Sequence, residues 1–218
     1  MNTNQEDKIT VEVWSDVMCP FCYIGKRKLE AALDQFPQKE KVEIIWKSFQ
    51  LSPDLKTEPN KNTYDYLAEH KGISLEHAMQ MSNQVTERAK LDGLVYNFDK
   101  SLVANSFKAH RFSHFAKKFG KQGEAEELLF KAYFTDGKNI DSDQTLIELA
   151  LELNLDTQEL SGVLTSDEYT QDVLSDIEEA QHIGVRGVPF FVFNRKYAIS
   201  GAQDSQLFLE TLMKSADL

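Results

Sequence analysis

The sequence predicts an α/β fold interrupted in its middle by an all-helical insertion. Three observations carry this. A strand, helix and strand pattern fills the first part of the chain, residues 1–60. Helix formers without strand-like alternation then dominate residues 61–183. After Gly184 the strand pattern returns as a hairpin followed by a last helix, so residues 184–218 complete the unit that residues 1–60 begin.

Ile9, Val11 and Val13 alternate with Thr10, Glu12 and Trp14, the period-2 pattern of a strand. Pro20 suits the first position of a helix, where a missing N–H costs nothing. Leu29, Leu33 and Phe36 keep helical spacing until Pro37 ends the run, which predicts a helix over 20–36. The apolar run Val42 to Phe49 is long enough for a buried strand, and a right-handed βαβ unit with parallel strands follows. Glu12 and Lys47 are charged positions within these strands. They are expected at exposed strand ends, with a pairing beneath the site as the other reading.

Leu51 to Asn60 is rich in turn formers. Helices are then predicted over 64–70, 74–91, 102–120, 123–135, 142–153, 157–164 and 167–183, with Gly, Asn or Asp at most joints. Pro189-Phe-Phe-Val-Phe and Tyr197-Ala-Ile-Ser read as strands around the turn Asn194-Arg195-Lys196, and a helix follows over 204–215. Removing the helical block leaves βαβ and then ββα, the order of a thioredoxin-like fold.

The chain has two cysteines, Cys19 and Cys22, and both fall at the first strand-to-helix junction. Cys19 is expected at or near the helix N-cap, with Cys22 one turn inside. Unpaired N–H groups and the helix dipole at that end favour a thiolate over a thiol. Cys19 is therefore the expected attacking thiol and Cys22 the resolving one. The competing readings of a C-x-x-C are a zinc or copper site and two structural cysteines. A structural zinc site needs four ligands, and no second C-x-x-C or clustered His pair supplies them, so no metal is expected. His110 and His114 stand one helical turn apart. With no carboxylate or cysteine placed to complete a site, they read as a surface or core pair. The acidic run over 124–127 reads as a solvated helix start.

With 218 residues and 41% hydrophobic side chains, the chain can build a core without disulfide support. Twenty-four basic against thirty-five acidic residues leave a net charge of −11, which argues against nucleic-acid and anionic-membrane partners. The N-terminus is polar and unlike a secretory signal, and no apolar run approaches the ~18 residues of a membrane span. The expected location is the cytoplasm, where an isolated C-x-x-C points to redox catalysis.

Five blocks in order carry a family resemblance: Ser15 to Lys26, Phe49 to Pro53, Asn105 to Arg111, Gly184 to Val192, and Gly201-Ala202-Gln203. On these the chain resembles the DsbA-like branch of the thioredoxin superfamily, and within it the cytoplasmic FrnE-like proteins. The resemblance implies thiol–disulfide exchange on proteins or small thiols, as a disulfide oxidoreductase or isomerase without bound cofactor. It also implies that Pro189 is a cis-proline facing the cysteines. Val188 and Pro189 would then form one wall of a substrate groove to which Phe21 adds apolar contact. Many relatives carry His where this chain has Phe21, which implies a less depressed Cys19 thiolate. The direction of exchange is left open. The chain is also similar, around Asn105 to His110 and Gly201 to Asp204, to the glutathione-using kappa-type transferases and hydroxychromene-carboxylate isomerases. Those usually have Ser at the first cysteine position. Glutathione therefore stays admitted as a reductant or ligand, and a thiol-bearing chaperone stands as a further alternative.

Overall fold

The computed structural model describes residues 8–218; the polar N-terminal tail lies outside these apart from Lys8. Strand β1, Ile9–Ser15, is the centre of the architecture. It pairs in parallel with β2, Val42–Ser48, from Ile9↔Val42 to Ser15↔Ser48. On its other side it pairs antiparallel with β5, Phe190–Phe193, which forms a hairpin with β6, Tyr197–Ser200. The strand order is β2-β1-β5-β6.

Alternation decides what each face of this sheet buries. Val11, Val13, Phe191 and Phe193 point to one side, where α1 (Pro20–Leu33) and α9 (Ser205–Ser215) pack together. Trp14 and Val192 point to the other side, where Ala180 of α8 (Thr170–His182) and Val185 close a smaller core. The Trp14 indole N–H donates to the Asp176 carbonyl at 3.0 Å, so its polar edge is satisfied inside that core. This is a thioredoxin-like fold with a helical insertion.

Between β2 and β5 run β3 (Glu58–Asn62), α2 (Thr63–Lys71), α3 (Leu75–Leu91), β4 (Leu102–Val103), α4 (Phe107–Lys118), α5 (Gln122–Phe134), α6 (Asp143–Glu152), α7 (Thr157–Thr165) and α8. Side-chain caps start several of them. Asn62 accepts from Asp65 N–H, Ser74 from His77 N–H, and Asp156 from Gln158 and Glu159 N–H. The block does not sit apart from the sheet. One continuous apolar cluster runs from Ile9 and Leu29 through Phe112, Phe130 and Leu160 to Phe208.

Three expectations need correction. The block is not wholly helical, because β3 and β4 form a two-stranded antiparallel ladder. That ladder takes Leu102 and Val103, so α4 begins at Phe107 instead of 102. Helix α1 ends at Leu33, short of 36, and the chain leaves it through turn bonds from Gln35 N–H to the Ala32 carbonyl and from Phe36 N–H to the Leu33 carbonyl; Phe36 is nevertheless buried. Finally, Glu12 and Lys47 neither lie at exposed ends nor pair with each other. Glu12 is buried and bound to Arg195, whose guanidinium also reaches Glu179 at 2.7 Å. Lys47 bridges Glu179 at 3.0 Å and Asp176 at 2.9 Å.

Arg195 reaches that position because Asn194 and Arg195 both adopt positive φ, 48° and 55°, in the three-residue hairpin turn Asn194-Arg195-Lys196. Asn194 also ties the turn down. Its Oδ1 accepts from Thr10 N–H at 2.8 Å and its Nδ2 donates to the Ser215 carbonyl at 3.1 Å. Asn194→Ala loses both bonds and puts a residue without the Asn preference into the left-handed region. The expected cost is about 2 kcal/mol in urea unfolding. A loss below about 0.5 kcal/mol would show that the turn is held by the backbone alone.

Candidate active site

At the end of β1 the chain turns tightly through Ser15, Asp16, Val17 and Met18. The Cys19 N–H donates to the Asp16 carbonyl at 2.9 Å, and the Asp16 side chain accepts from Met18 N–H at 3.2 Å and from Leu51 N–H at 2.8 Å. One carboxylate thus fixes the turn and the loop after β2. Cys19 is the N-cap of α1, with φ −89° and ψ 110°, and Pro20 opens the helix as expected. No side chain caps this end, and no acidic residue lies in the first turn. Cys19 therefore stands at the positive end of the helix dipole with no rival anion in that turn.

Cys22 lies one turn on, 3.6 Å from Cys19. Both are free thiols and both are buried. Their surroundings differ. The Cys19 Sγ–H donates to the Val188 carbonyl at 3.4 Å, toward the surface loop before β5. Cys22 faces inward, and burial pushes its thiol well above the ordinary value, reinforced by the neighbouring Cys19 sulfur. The Ser15 hydroxyl and the Asp16 backbone face it and act in the opposite direction without cancelling that rise.

The Val188–Pro189 peptide bond is cis, as the resemblance implied. Val188 is half-buried and Pro189 is buried, while Phe21 is 40% exposed beside the cysteines. Pro189 packs on Gly25, where a Cβ would meet the proline Cγ at 2.9 Å and Phe191 Cζ at 3.1 Å. The Pro189 carbonyl accepts from Gly201 N–H at 2.8 Å, which anchors this segment to the end of β6.

One residue beside the thiols, Tyr96, escaped the sequence reading. Tyr96 donates to the Pro20 carbonyl at 2.6 Å; burial, with Cys19 and Tyr23 nearby, raises its phenol, so it stays a donor. Asn105 accepts from Phe107 N–H at 2.8 Å at the start of α4 and donates to the Leu55 carbonyl at 2.8 Å. His110 and His114 form a core pair, and carboxylates do face them. His114 lies 3.0 Å from Asp176 and His110 3.6 Å from Asp16. Among the described residues no three metal-ligating side chains come together.

The acidic run over 124–127 is also corrected, since it is not a solvated face. Glu126 is buried, with one oxygen accepting from the Ser113 hydroxyl at 2.6 Å. Glu127 receives Lys26, Arg27 and Tyr23 of α1. Burial alone would raise its carboxyl, but those donors outweigh it and lower the value to about 2. The periodicity of α5 hid this, because its interior face is turned toward the charged stems of α1.

A close dithiol at the N-cap of the first helix of a thioredoxin-like fold defines a thiol–disulfide oxidoreductase. The model for the DsbA-like thioredoxin domain matches residues 10–213, and the chain belongs to that family. It is similar to a probable DsbA oxidoreductase from Streptomyces coelicolor, 33% identical, with TM-score 0.89 over 95% of this chain and 89% of that one. It is 25% identical to the uncharacterized protein YwbO of Bacillus subtilis over 92% of this chain and 94% of that one. The cytosolic disulfide reductase DsbM of Pseudomonas aeruginosa, solved with GSH, shares the fold at 16% identity and TM-score 0.68, over 96% of this chain and 100% of that one.

Two outcomes test this packing. A Gly→Ala change inside a helix ordinarily stabilises by up to about 1 kcal/mol. Gly25→Ala should instead destabilise by about 1–3 kcal/mol, because the added methyl must displace Pro189; a gain in thermal stability would refute the close approach. Because the Glu127 carboxyl is lowered, its contribution is present above the unfolded value of about 4.3 and is lost as pH falls through about 2. Glu127→Gln should therefore flatten acid unfolding across that window, and an unchanged acid limb would place the sensitivity elsewhere.

Proposed function

We propose that this chain catalyses thiol–disulfide exchange on proteins or small thiols, with Cys19 as the attacking thiol and Cys22 as the resolving one. The observation that carries the reading is the asymmetry of the pair. Cys19 stands at the N-cap of α1 against the Val188 carbonyl of the loop before β5, whereas Cys22 lies one turn further in, where burial raises its thiol. The likeness to the Streptomyces oxidoreductase supports the same activity. Val188 and Pro189 form one side of the substrate site and Phe21 supplies apolar contact opposite, which suits extended polypeptides with little side-chain selectivity. No bound cofactor takes part. The reaction runs in the cytoplasm, and isomerisation follows from the same two thiols when a mixed disulfide is attacked by a second substrate thiol. Glutathione is the small thiol to examine first as reductant, prompted by the relative solved with GSH.

The roles are separable. Cys19→Ser should abolish exchange, since the remaining thiol is buried and raised. Cys22→Ser should accumulate mixed disulfides through Cys19, visible by mass spectrometry as stable substrate adducts. Full multiple turnover by Cys22→Ser without added thiol would overturn the assignment.

A further inference from the structure

Among the described residues, three buried side-chain polar atoms have no hydrogen-bond partner: Ser15 Oγ, His110 Nε2 and Glu126 Oε2. Each residue is 2–3% exposed. They belong to one region. Ser15 adjoins Asp16, whose carboxylate lies 3.6 Å from His110 Nε2, too long for a hydrogen bond and short enough for a charge pair. Glu126 on α5 also acts electrostatically on His110. A buried polar atom left alone costs about 1–3 kcal/mol, and native interiors usually meet that cost with internal water. Three such atoms in one place, next to a thiol, call for an explanation in chemistry.

The thiol concerned is Cys22, which is 1% exposed and faces the Ser15 hydroxyl. As the resolving thiol it must lose its proton to attack, and bulk water does not reach it. We propose that the His110–Asp16 pair takes the Cys22 proton during resolution, passed through the Ser15 hydroxyl and internal water. This rests on the reading of Cys22 as the resolving thiol. The Cys22 S–H proton moves to Ser15 Oγ while the Ser15 hydroxyl hydrogen moves on through water to His110 Nε2. The Cys22 thiolate then attacks the Cys19 sulfur of the mixed disulfide. The Cys19–substrate S–S bond breaks, the Cys19–Cys22 bond forms, and the substrate thiolate leaves and takes a proton from solvent. The two cysteines give up two electrons and the substrate disulfide gains them. In the opposite direction His110 returns the proton to Cys22.

The groups facing His110 suit this task. Asp16 from the β1–α1 turn and Glu126 from α5 favour imidazolium, as does the Phe49 carbonyl after β2. Asp16 itself acts on Tyr133 of α5, and Lys26, Ser113 and His114 surround Glu126. Burial opposes the charge on His110, but the carboxylates outweigh it and raise the imidazole above its usual value. Below that value His110 already carries a proton and cannot accept another. Resolution should therefore quicken as pH rises through the His110 titration and then level.

The test uses the full reduced chain and an aromatic disulfide whose two halves are coloured when released. Attack by Cys19 frees the first half and resolution by Cys22 frees the second, so stopped-flow absorbance separates the steps. In His110→Gln the second phase should slow at least about tenfold at neutral pH and lose the inflection, while the first stays within about twofold. Ser15→Ala should slow the second phase similarly and keep the inflection, and it decides the matter if the histidine variant does not fold. A second phase of unchanged rate and pH profile in either folded variant would overturn the relay. Equal slowing of both phases would overturn it too, by showing a general effect on the site. If the unsubstituted protein released only one half, Cys22 would be no resolver and the underlying reading would fall first.

Discussion

At Gly25 the first helix comes so close to the segment before β5 that a Cβ there would sit 2.9 Å from the Pro189 ring. That contact brings together two stretches of chain separated by the whole helical block. Through it the Cys19 sulfur finds the Val188 carbonyl, a partner 169 residues away in sequence. The rest of the molecule maintains the approach: β1 between β2 and β5 fixes the height of the turn, and α9 braces α1 from behind. Without a bare Cα at that helical position the thiol pair and the loop facing it would separate. Gly25 therefore sets the width of the site.

The fold was legible because its strands differ in kind from its helices. Alternation in Ile9 to Trp14, an apolar run in Val42 to Phe49 and a hairpin after Gly184 leave few arrangements open. The thiols were legible because the cysteine pair falls on a strand-to-helix junction, which places Cys19 at the helix N-cap and Cys22 one turn inside. What sequence could not show is which polar residues turn inward. His110 lies one turn from His114 on a helix with polar and apolar residues interleaved, so spacing does not say which face is buried. Glu126 and Glu127 are neighbours with opposite fates, one buried and raised, the other held by α1 and lowered. Such outcomes depend on the neighbouring helix, which one-dimensional periodicity does not contain. The β3–β4 ladder was missed for a simpler reason: Leu102–Val103 is too short to alternate.

Charge placement follows a consistent logic. On the side of the sheet that α8 covers, Glu12, Arg195, Glu179, Lys47 and Asp176 form an unbroken series of ion pairs, and His114 Nε2 lies 3.0 Å from Asp176. Every buried carboxylate there has a cation, as a low-dielectric interior demands. The interior next to Cys22 breaks that pattern with its unpartnered atoms.

The central position of β1 also has a cost in time. Val11 is made 182 residues before its antiparallel partner Phe193. At ~5–20 residues per second, one edge of the first strand waits roughly ten to thirty-five seconds on the ribosome. During that wait β2 can pair on one side, but the other side presents open N–H and C=O groups beside an apolar face. The helical block is made in the interval and shares the same core, so apolar partners for that face exist before β5 does. The insertion thus serves as a built-in escort for the nascent strand.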